Sequence, residues 1–518
     1  MKNDFVAGGD QHFTSKRLIS NSKWNLVAFA CGLAAQFITV PFVIQRVGLA
    51  GFGRAGLVLA VWAPLMLVGA VLGQATTREM SARLAAGNPQ AASRVIDAAM
   101  LLCLGACVFG GVALAAVGPA LLSALVADDY PHPALQAAFI IAGIGWAAQQ
   151  AILVLQGACS ARQDFRTMAQ VAALSAFSTV ALTLGFTAVF PSVQGYLAGI
   201  ASSFVATLLA WLWVTRKAPL GRRWWATWHR EELAGLLHFG KWQAMAQFAG
   251  AIGNQMDRYV LGVLAPAAVI GQYNAANRLQ EAGYMGVMKV GEILFPHFSA
   301  TAQDDVARRA RFFLTSSWVI ATLSAMILAP LVPLSHSLLM LWIGPETAEG
   351  GALLLRTLVL GGLIGCGSNV FTYYAMGIGQ NVPVAWLSVL YALLTVLATI
   401  VVMRMFGPYA AGVGLLLASV VRLALSIWLT RSRFFVTLRW SALVVSSLLP
   451  LVAGVGVALW LHAVGAGLVS GWLQLLLFYA IAAIIVLATV LLFTAPWAVG
   501  REIIGRVFTA VRTHRALV

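Results

Sequence analysis

Fourteen long apolar segments follow one another almost end to end through this chain of 518 residues, and no other feature restricts its fold as tightly. They lie near 24–44, 56–75, 95–116, 134–157, 169–190, 194–215, 239–264, 271–294, 312–333, 351–376, 384–403, 410–429, 442–461 and 472–494. Each is long enough to cross a hydrocarbon core of roughly 30 Å as a helix. Composition agrees: 60% of residues are hydrophobic, mean hydropathy is +0.86 and 10% are charged, against roughly 25% in soluble domains. The expected fold is an all-α polytopic membrane protein of about fourteen transmembrane helices.

A net charge of +16 raises the question of nucleic acid, and the placement of the charge answers it. With the N-terminus inside, 25 of the 33 Lys and Arg fall on the cytoplasmic side, and Arg46, Arg54 and Arg404 fall at outer ends. That bias sets the orientation, with both termini cytoplasmic. The basic loop with Arg216, Lys217, Arg222, Arg223 and Arg230 and the basic tail face anionic lipid heads, not nucleic acid. The first twenty residues lack an apolar core with a small-residue cleavage site, so no cleaved signal peptide is expected. The five cysteines lie in or beside spans and read as packing residues; the eight histidines show no metal spacing.

The chain repeats itself. A shift of 218 superposes Lys23-Trp24 on Lys241-Trp242, Gln36 on Asn254, Thr39 on Asp257 and Gly53 on Gly271. Both halves start inside, so the repeat is parallel, and transporters of this plan bind between their halves. The expected organisation is an N-terminal lobe over 1–218, a C-terminal lobe over 219–440, and two further helices with a basic tail over 441–518.

Polar stripes mark the inside of the bundle. Span 7 places Gln243, Gln247, Gly250, Asn254 and Asp257 on one helix face, and span 8 does the same with Asn274, Arg278, Glu281, Met285, Lys289 and Glu292. Span 1 carries a milder stripe through Asn25, Gln36 and Thr39. Charge at bilayer depth is costly and faces a cavity or a partner. Both readings stand at this level: a shared cavity, or internal pairing of Arg278 with Glu281 and Lys289 with Glu292. Asp257, Arg258 and Arg278 lie about 11 Å from the outer ends of their spans, at 1.5 Å per residue. With Arg46, Arg54, Arg356 and Arg404 they make a candidate cationic ring, suited to phosphate because guanidinium binds it through two parallel bonds. Snorkelling to the interface is the competing reading for Arg46 and Arg404.

Enzyme-like signals fail. Gly235 to Lys241 has phosphate-loop spacing, but Trp242 stands where Ser or Thr would hold magnesium. Asp128-Asp129 fits a turn better than a metal pair. Gly195/Gly199 and Gly361/Gly365 are helix-packing candidates.

Val47-Gly-Leu-Ala-Gly-Phe-Gly53, Arg78-Glu-Met-Ser-Ala-Arg83, Val269-Ile-Gly-Gln-Tyr-Asn-Ala-Ala-Asn-Arg278 and Leu341-Trp-Ile-Gly344 carry a family resemblance. With six, six and two spans, the chain resembles the polysaccharide flippases of the multidrug/oligosaccharidyl-lipid/polysaccharide (MOP) exporter superfamily. The resemblance implies no enzyme and no cofactor beyond a coupling H+ or Na+. It implies translocation of undecaprenyl-pyrophosphate-linked oligosaccharide across the bacterial inner membrane, for O-antigen, capsule or exopolysaccharide. Arg278, Arg54, Arg258 and Arg356, with Asn254, Gln247, Asn274 and Lys289, are the expected substrate-binding residues; Asp257 and Glu281 are the expected ion-coupling pair. Expected partners are the lipid-linked substrate, membrane lipids, and a polysaccharide polymerase with other assembly proteins. Alternatives are a drug or metabolite antiporter of the same superfamily, a peptidoglycan-precursor flippase and, from another class, a membrane glycosyltransferase or polymerase, which would need a large outer loop with carboxylates.

Overall fold

The computed structural model describes residues 15–125, 132–162, 164–216, 228–237, 256–291, 294, 298, 305–465 and 469–515, and among them every regular element is helical. The helices are α1 (Ser15–Trp62), α2 (Met66–Ala85), α3 (Pro89–Leu125), α4 (His132–Ala161), α5 (Phe165–Val189), α6 (Val193–Arg216), α7 (230–237), α8 (Met256–Leu264) and α9 (Ala267–Gly291). They continue as α10 (Val306–Leu328), α11 (Leu331–Trp342), α12 (Pro345–Cys366), α13 (Asn369–Gly377), α14 (Asn381–Phe406), α15 (Pro408–Phe434), α16 (Trp440–Ala463), α17 (Trp472–Thr494) and α18 (Ala498–Arg515).

Eleven helical runs among the described residues are long and apolar enough to cross a membrane. The first is two spans in one, because α1 breaks at Gly48, whose φ of 79° is open to glycine and costly for other residues. The second arm runs from Leu49, through a 3-10 turn at Pro64, into α2. Span 2 is therefore longer at both ends than its expected range of 56–75. Polar and charged residues keep α9 out of the apolar count, and α8 is the described end of span 7, the rest of which lies outside the described residues.

In the N-terminal lobe α2, α3 and α6 pack around α4, and α5 joins α1 to α6. In the C-terminal lobe α9 and α15 pack on α12, and α14 packs on α15. Lipid tails are as apolar as leucine, so small residues that let backbones approach do most of the work. A methyl group at Gly199 would meet the Thr183 backbone, and one at Gly361 the Leu416 backbone. Two of the four packing candidates from the sequence thus sit at helix crossings.

The lobes touch along α1 and α9. A Cβ at Gly53 would collide with Ala267 O and lie 2.8 Å from Gly271 N; one at Gly271 would collide with Leu49 O. The shift of 218 that maps Gly53 onto Gly271 also maps Leu49 onto Ala267, so this contact is reciprocal. A two-fold relation between the lobes produces that reciprocity. Gly56 meets Asn274, its own counterpart at the same shift. Two further ties join the lobes: Tyr259 OH donates to Ala60 O at 2.7 Å, and Trp342 Nε1 donates to Phe37 O at 2.8 Å.

The two appended helices, α16 and α17, pack on each other and on α10, and Trp472 of α17 meets Phe37 of α1 edge-on at 6.0 Å. Tyr479 OH donates to Ile327 O at 2.8 Å, and Gly454 lies against Ala325. The basic tail forms α18, an amphipathic helix with Ile503 buried and an exposed Glu502–Arg506 ion pair. Between the lobes, α7 docks on the N-terminal lobe. Leu233 and Leu236 are buried, Arg94 Nε donates to Glu232 Oε1 at 2.9 Å, and His229 lies 3.8 Å from Asp97. Burial alone would raise the Glu232 pKa, but the Arg94 hydrogen bond, a backbone N–H and the Arg94 charge hold it below the ordinary carboxylate range.

Candidate functional site

The seam between the lobes opens, one turn beyond Gly53, into a small chamber of about 310 Å³. Gly56 and Leu59 of α1 and Tyr196 of α6 supply one wall. Arg258 of α8 and Asn274, Arg278 and Glu281 of α9 supply the other. The spacing of 4 and 3 in the α9 stripe turns these three side chains to one side of the helix. A second chamber, of about 620 Å³, lies inside the N-terminal lobe and shares Leu59, Tyr196 and Arg278 with the first. Arg278 therefore stands on the wall between two chambers.

The charged groups are sorted by their hydrogen bonds. Arg258 Nη2 lies 3.5 Å from Glu281 Oε1, and Asn277 Nδ2 donates to the same oxygen at 2.8 Å. Asp257 accepts from Tyr273 OH and, at 2.8 Å, from the Arg258 backbone N–H. Arg278 makes no hydrogen bond and no ion pair among the described residues. The buried Asn274 Nδ2 also lacks a partner. With two guanidinium groups and one carboxylate, the small chamber is cationic.

The expected pairing of Arg278 with Glu281 is thus replaced by a pair across two helices, Arg258 with Glu281. The cationic ring does not form either; of its members, only Arg258 and Arg278 meet. Arg54 is half-buried on α1 and takes no part in either chamber wall. Arg356 donates from Nε to Ser335 Oγ at 2.8 Å and ties α12 to α11. Lys289 sits three turns beyond Arg278 on α9, outside both chamber walls. Arg46 lies over Phe42, 5.5 Å from the ring centroid, and Arg404 is exposed. Gln243, Gln247, Asn254 and Glu292 lie outside the described residues. Depth was legible from the sequence, but the direction in which each helix turns its arginine was not.

Sequence reasoning overlooked most of the larger chamber. Gln36 and Thr39 from the span 1 stripe line it, joined by Trp62, Trp146, Gln149, Gln156 and Trp211. The available signal was the face formed by Trp146, Gln149 and Gln156 at spacings of 3 and 7. Arg422, which the sequence places within span 12, lies over Tyr391 at 5.0 Å inside the C-terminal lobe.

A family model described as polysaccharide biosynthesis protein matches residues 101–346. No curated protein matches the chain in sequence. Among solved structures, an inward-facing multidrug resistance MATE transporter of the MOP superfamily superposes with a TM-score of 0.70 at 15% identity, over 81% of this chain and 98% of its own. The lipid II flippase MurJ in an inward closed conformation superposes with a TM-score of 0.68 at 11% identity, over 92% of this chain and 99% of its own. An outward-facing MATE transporter gives 0.58 at 16% identity, over 83% and 96%. The fold is that of these transporters, and the polysaccharide biosynthesis match over residues 101–346 agrees with the resemblance read from the sequence.

Proposed function

We propose that this chain, a MOP-fold protein with a polysaccharide biosynthesis match, flips undecaprenyl-pyrophosphate-linked oligosaccharide from the inner to the outer leaflet of a bacterial inner membrane. The observation that carries the reading is Arg278: a guanidinium at membrane depth, between two chambers, with neither hydrogen bond nor ion pair among the described residues. Such a group is costly to keep unless something pairs with it during the cycle. Diphosphate fits, because its oxygens accept two parallel N–H bonds from the planar fork. Arg258 and the Asn274 amide stand on the same chamber to share it.

Closure of the lobes at the Gly48 end, together with the better superposition on an inward-facing than on an outward-facing relative, supports a state that loads from the cytoplasm. The lobes then part at the Gly53–Gly271 crossing and release to the other side. The appended pair α16 and α17 supports a lipid cargo over a soluble drug. The share of this chain covered rises from 81% on the MATE transporter to 92% on the flippase. The charge bias supports cytoplasmic termini. The protein acts as a carrier, not an enzyme, with Asp257 and Glu281 as the groups that take a coupling proton. O-antigen, capsule and exopolysaccharide precursors all present the same diphosphate.

The test is surface glycan in a deletion strain complemented with Arg278→Ala. Export is lost while the protein accumulates normally, because the side chain supports no neighbour. Arg278→Lys restores part of it, keeping charge without the fork. Full export by Arg278→Ala at normal abundance refutes the reading.

A further inference from the structure

We propose that Glu281 competes with the cargo's diphosphate for Arg258, so that the small chamber takes up a proton together with its anionic ligand, and that Asn277 positions Glu281 for this exchange. This deepens the flippase reading, since it rests on Arg258 and Arg278 holding the diphosphate. It fixes the sign of the coupling: proton and anion bind together.

The charges on the chamber wall set the stoichiometry. Arg258 and Arg278 each bring a positive charge and Glu281 a negative one. A diphosphate diester carries one negative charge on each phosphate. With Glu281 ionised, the loaded chamber is left with one surplus negative charge; with Glu281 protonated, it is neutral. Net charge at membrane depth is costly, so the neutral combination is favoured. Geometry supplies the competition. Glu281 Oε1 lies 3.5 Å from Arg258 Nη2 and accepts from Asn277 Nδ2 at 2.8 Å. Each N–H that Arg258 turns to this carboxylate is one it cannot give to a phosphate. Protonation removes the charge that holds Arg258 and leaves its fork to the ligand. The proton has a way in: the Glu281 side chain is half exposed, and its Oε2 makes no hydrogen bond among the described residues. Asn277 is buried and suits either form, since its amide offers a donor to the carboxylate and an acceptor to the acid. The other groups around Glu281 are engaged or uncharged. Asp257, within electrostatic reach, accepts from Tyr273 OH and the Arg258 N–H and lines neither chamber. Behind it, Tyr391 of α14 lies against Arg422. Helices α12 and α10 meet α9 through Gly350, Gly362 and Leu328, and α1 and α6 bring Leu59 and Tyr196.

The test is binding of lipid-linked oligosaccharide, extracted from a strain lacking the polymerase, to the full chain in proteoliposomes. This probe is a diphosphate diester, so it keeps its charge from mildly acid to mildly alkaline pH. Wild-type affinity falls as pH rises, by at most about tenfold per pH unit for one linked proton. By reciprocity, binding in weak buffer takes up a proton from solution. Glu281→Gln, a neutral mimic of the acid form, binds about 2- to 5-fold more tightly at alkaline pH and loses both the pH dependence and the uptake. In an Arg258→Gln background the same change gains less, because the guanidinium it would release is gone. Asn277→Leu removes a donor that favours the carboxylate, so the fall in affinity moves to higher pH; a merely structural role would weaken binding alike at every pH. Weaker binding by Glu281→Gln, or wild-type binding that takes up no proton, overturns the proposal. Unchanged binding by Arg278→Ala overturns the diphosphate reading instead. Proton uptake is read on the wild-type chain, so it decides the proposal even should Glu281→Gln fail to fold.

Discussion

Replacing Gly53 with alanine should open the Gly48 end of the protein. The added Cβ would lie 2.8 Å from Gly271 N, 3.1 Å from Ala267 C and closer still to Ala267 O, whereas ordinary contact is 3.4–4 Å. All three atoms are backbone, so no side chain can swing aside and the helices must part by about an ångström. Overpacking of this kind costs roughly 1–3 kcal/mol. The cost falls on the state in which α1 and α9 cross and is absent where they separate. At 1.4 kcal/mol per tenfold, the population shifts about 5- to 140-fold toward the state open at the Gly48 end. Leu59 lines both chambers and reports on that opening. In a cysteine-free background, Leu59→Cys in spheroplasts is treated with a membrane-impermeant maleimide. Gly53→Ala and Gly271→Ala both raise the labelling rate; Gly185→Ala, which meets nothing within 4 Å, does not. Tyr259→Phe removes one hydrogen bond between the lobes, worth about 1 kcal/mol, and raises labelling about fivefold. Unchanged labelling in both glycine variants at normal abundance would mean that the crossing is not the outer seal.

Two further outcomes follow from the charged groups. If Asp257 and Glu281 carry the coupling proton, Asp257→Asn and Glu281→Gln flatten the pH dependence of flipping in proteoliposomes; an unchanged profile in both removes the coupling role. Glu232 lies outside the spans with its pKa depressed, so its bond to Arg94 contributes stability that is complete above the ordinary value of 4.5 and lost as pH falls through the lower, folded value. Hydrogen exchange of 230–237, corrected for intrinsic rate, therefore stays slow at neutral pH and quickens only in that acid range. Glu232→Gln shows fast exchange throughout, and a pH step that survives this change contradicts the assignment.

How much of this was written in the chain differs from residue to residue. The long apolar spans were legible, because hydropathy over twenty residues is a local property and the bilayer fixes the length. The repeat was legible too: the shift of 218 that aligned Gly53 with Gly271 is the relation by which the two glycines meet at the crossing. The α9 stripe of Asn274, Arg278 and Glu281 was correctly assigned to one face from spacing alone. What each arginine faces was not. Arg54 and Arg356 lie near the right depth, but their helices turn them elsewhere, Arg356 onto Ser335. Glu281, three residues from its expected partner Arg278, pairs instead with Arg258 on a different helix.

The sequence by itself determined the all-helical membrane fold, the shift of 218 that relates the two glycines at the crossing, and which polar residues share a helix face. Those follow from composition and periodicity along one dimension. The tertiary structure alone decided that Arg278 makes no hydrogen bond or ion pair among the described residues, that Trp62, Trp146 and Trp211 from three spans line one chamber with Gln149 and Gln156, and that the lobes close at the Gly48 end. Helical spacing fixes which residues share a face, but the direction of that face is set by the neighbouring helices. Here those neighbours come from segments more than a hundred residues apart.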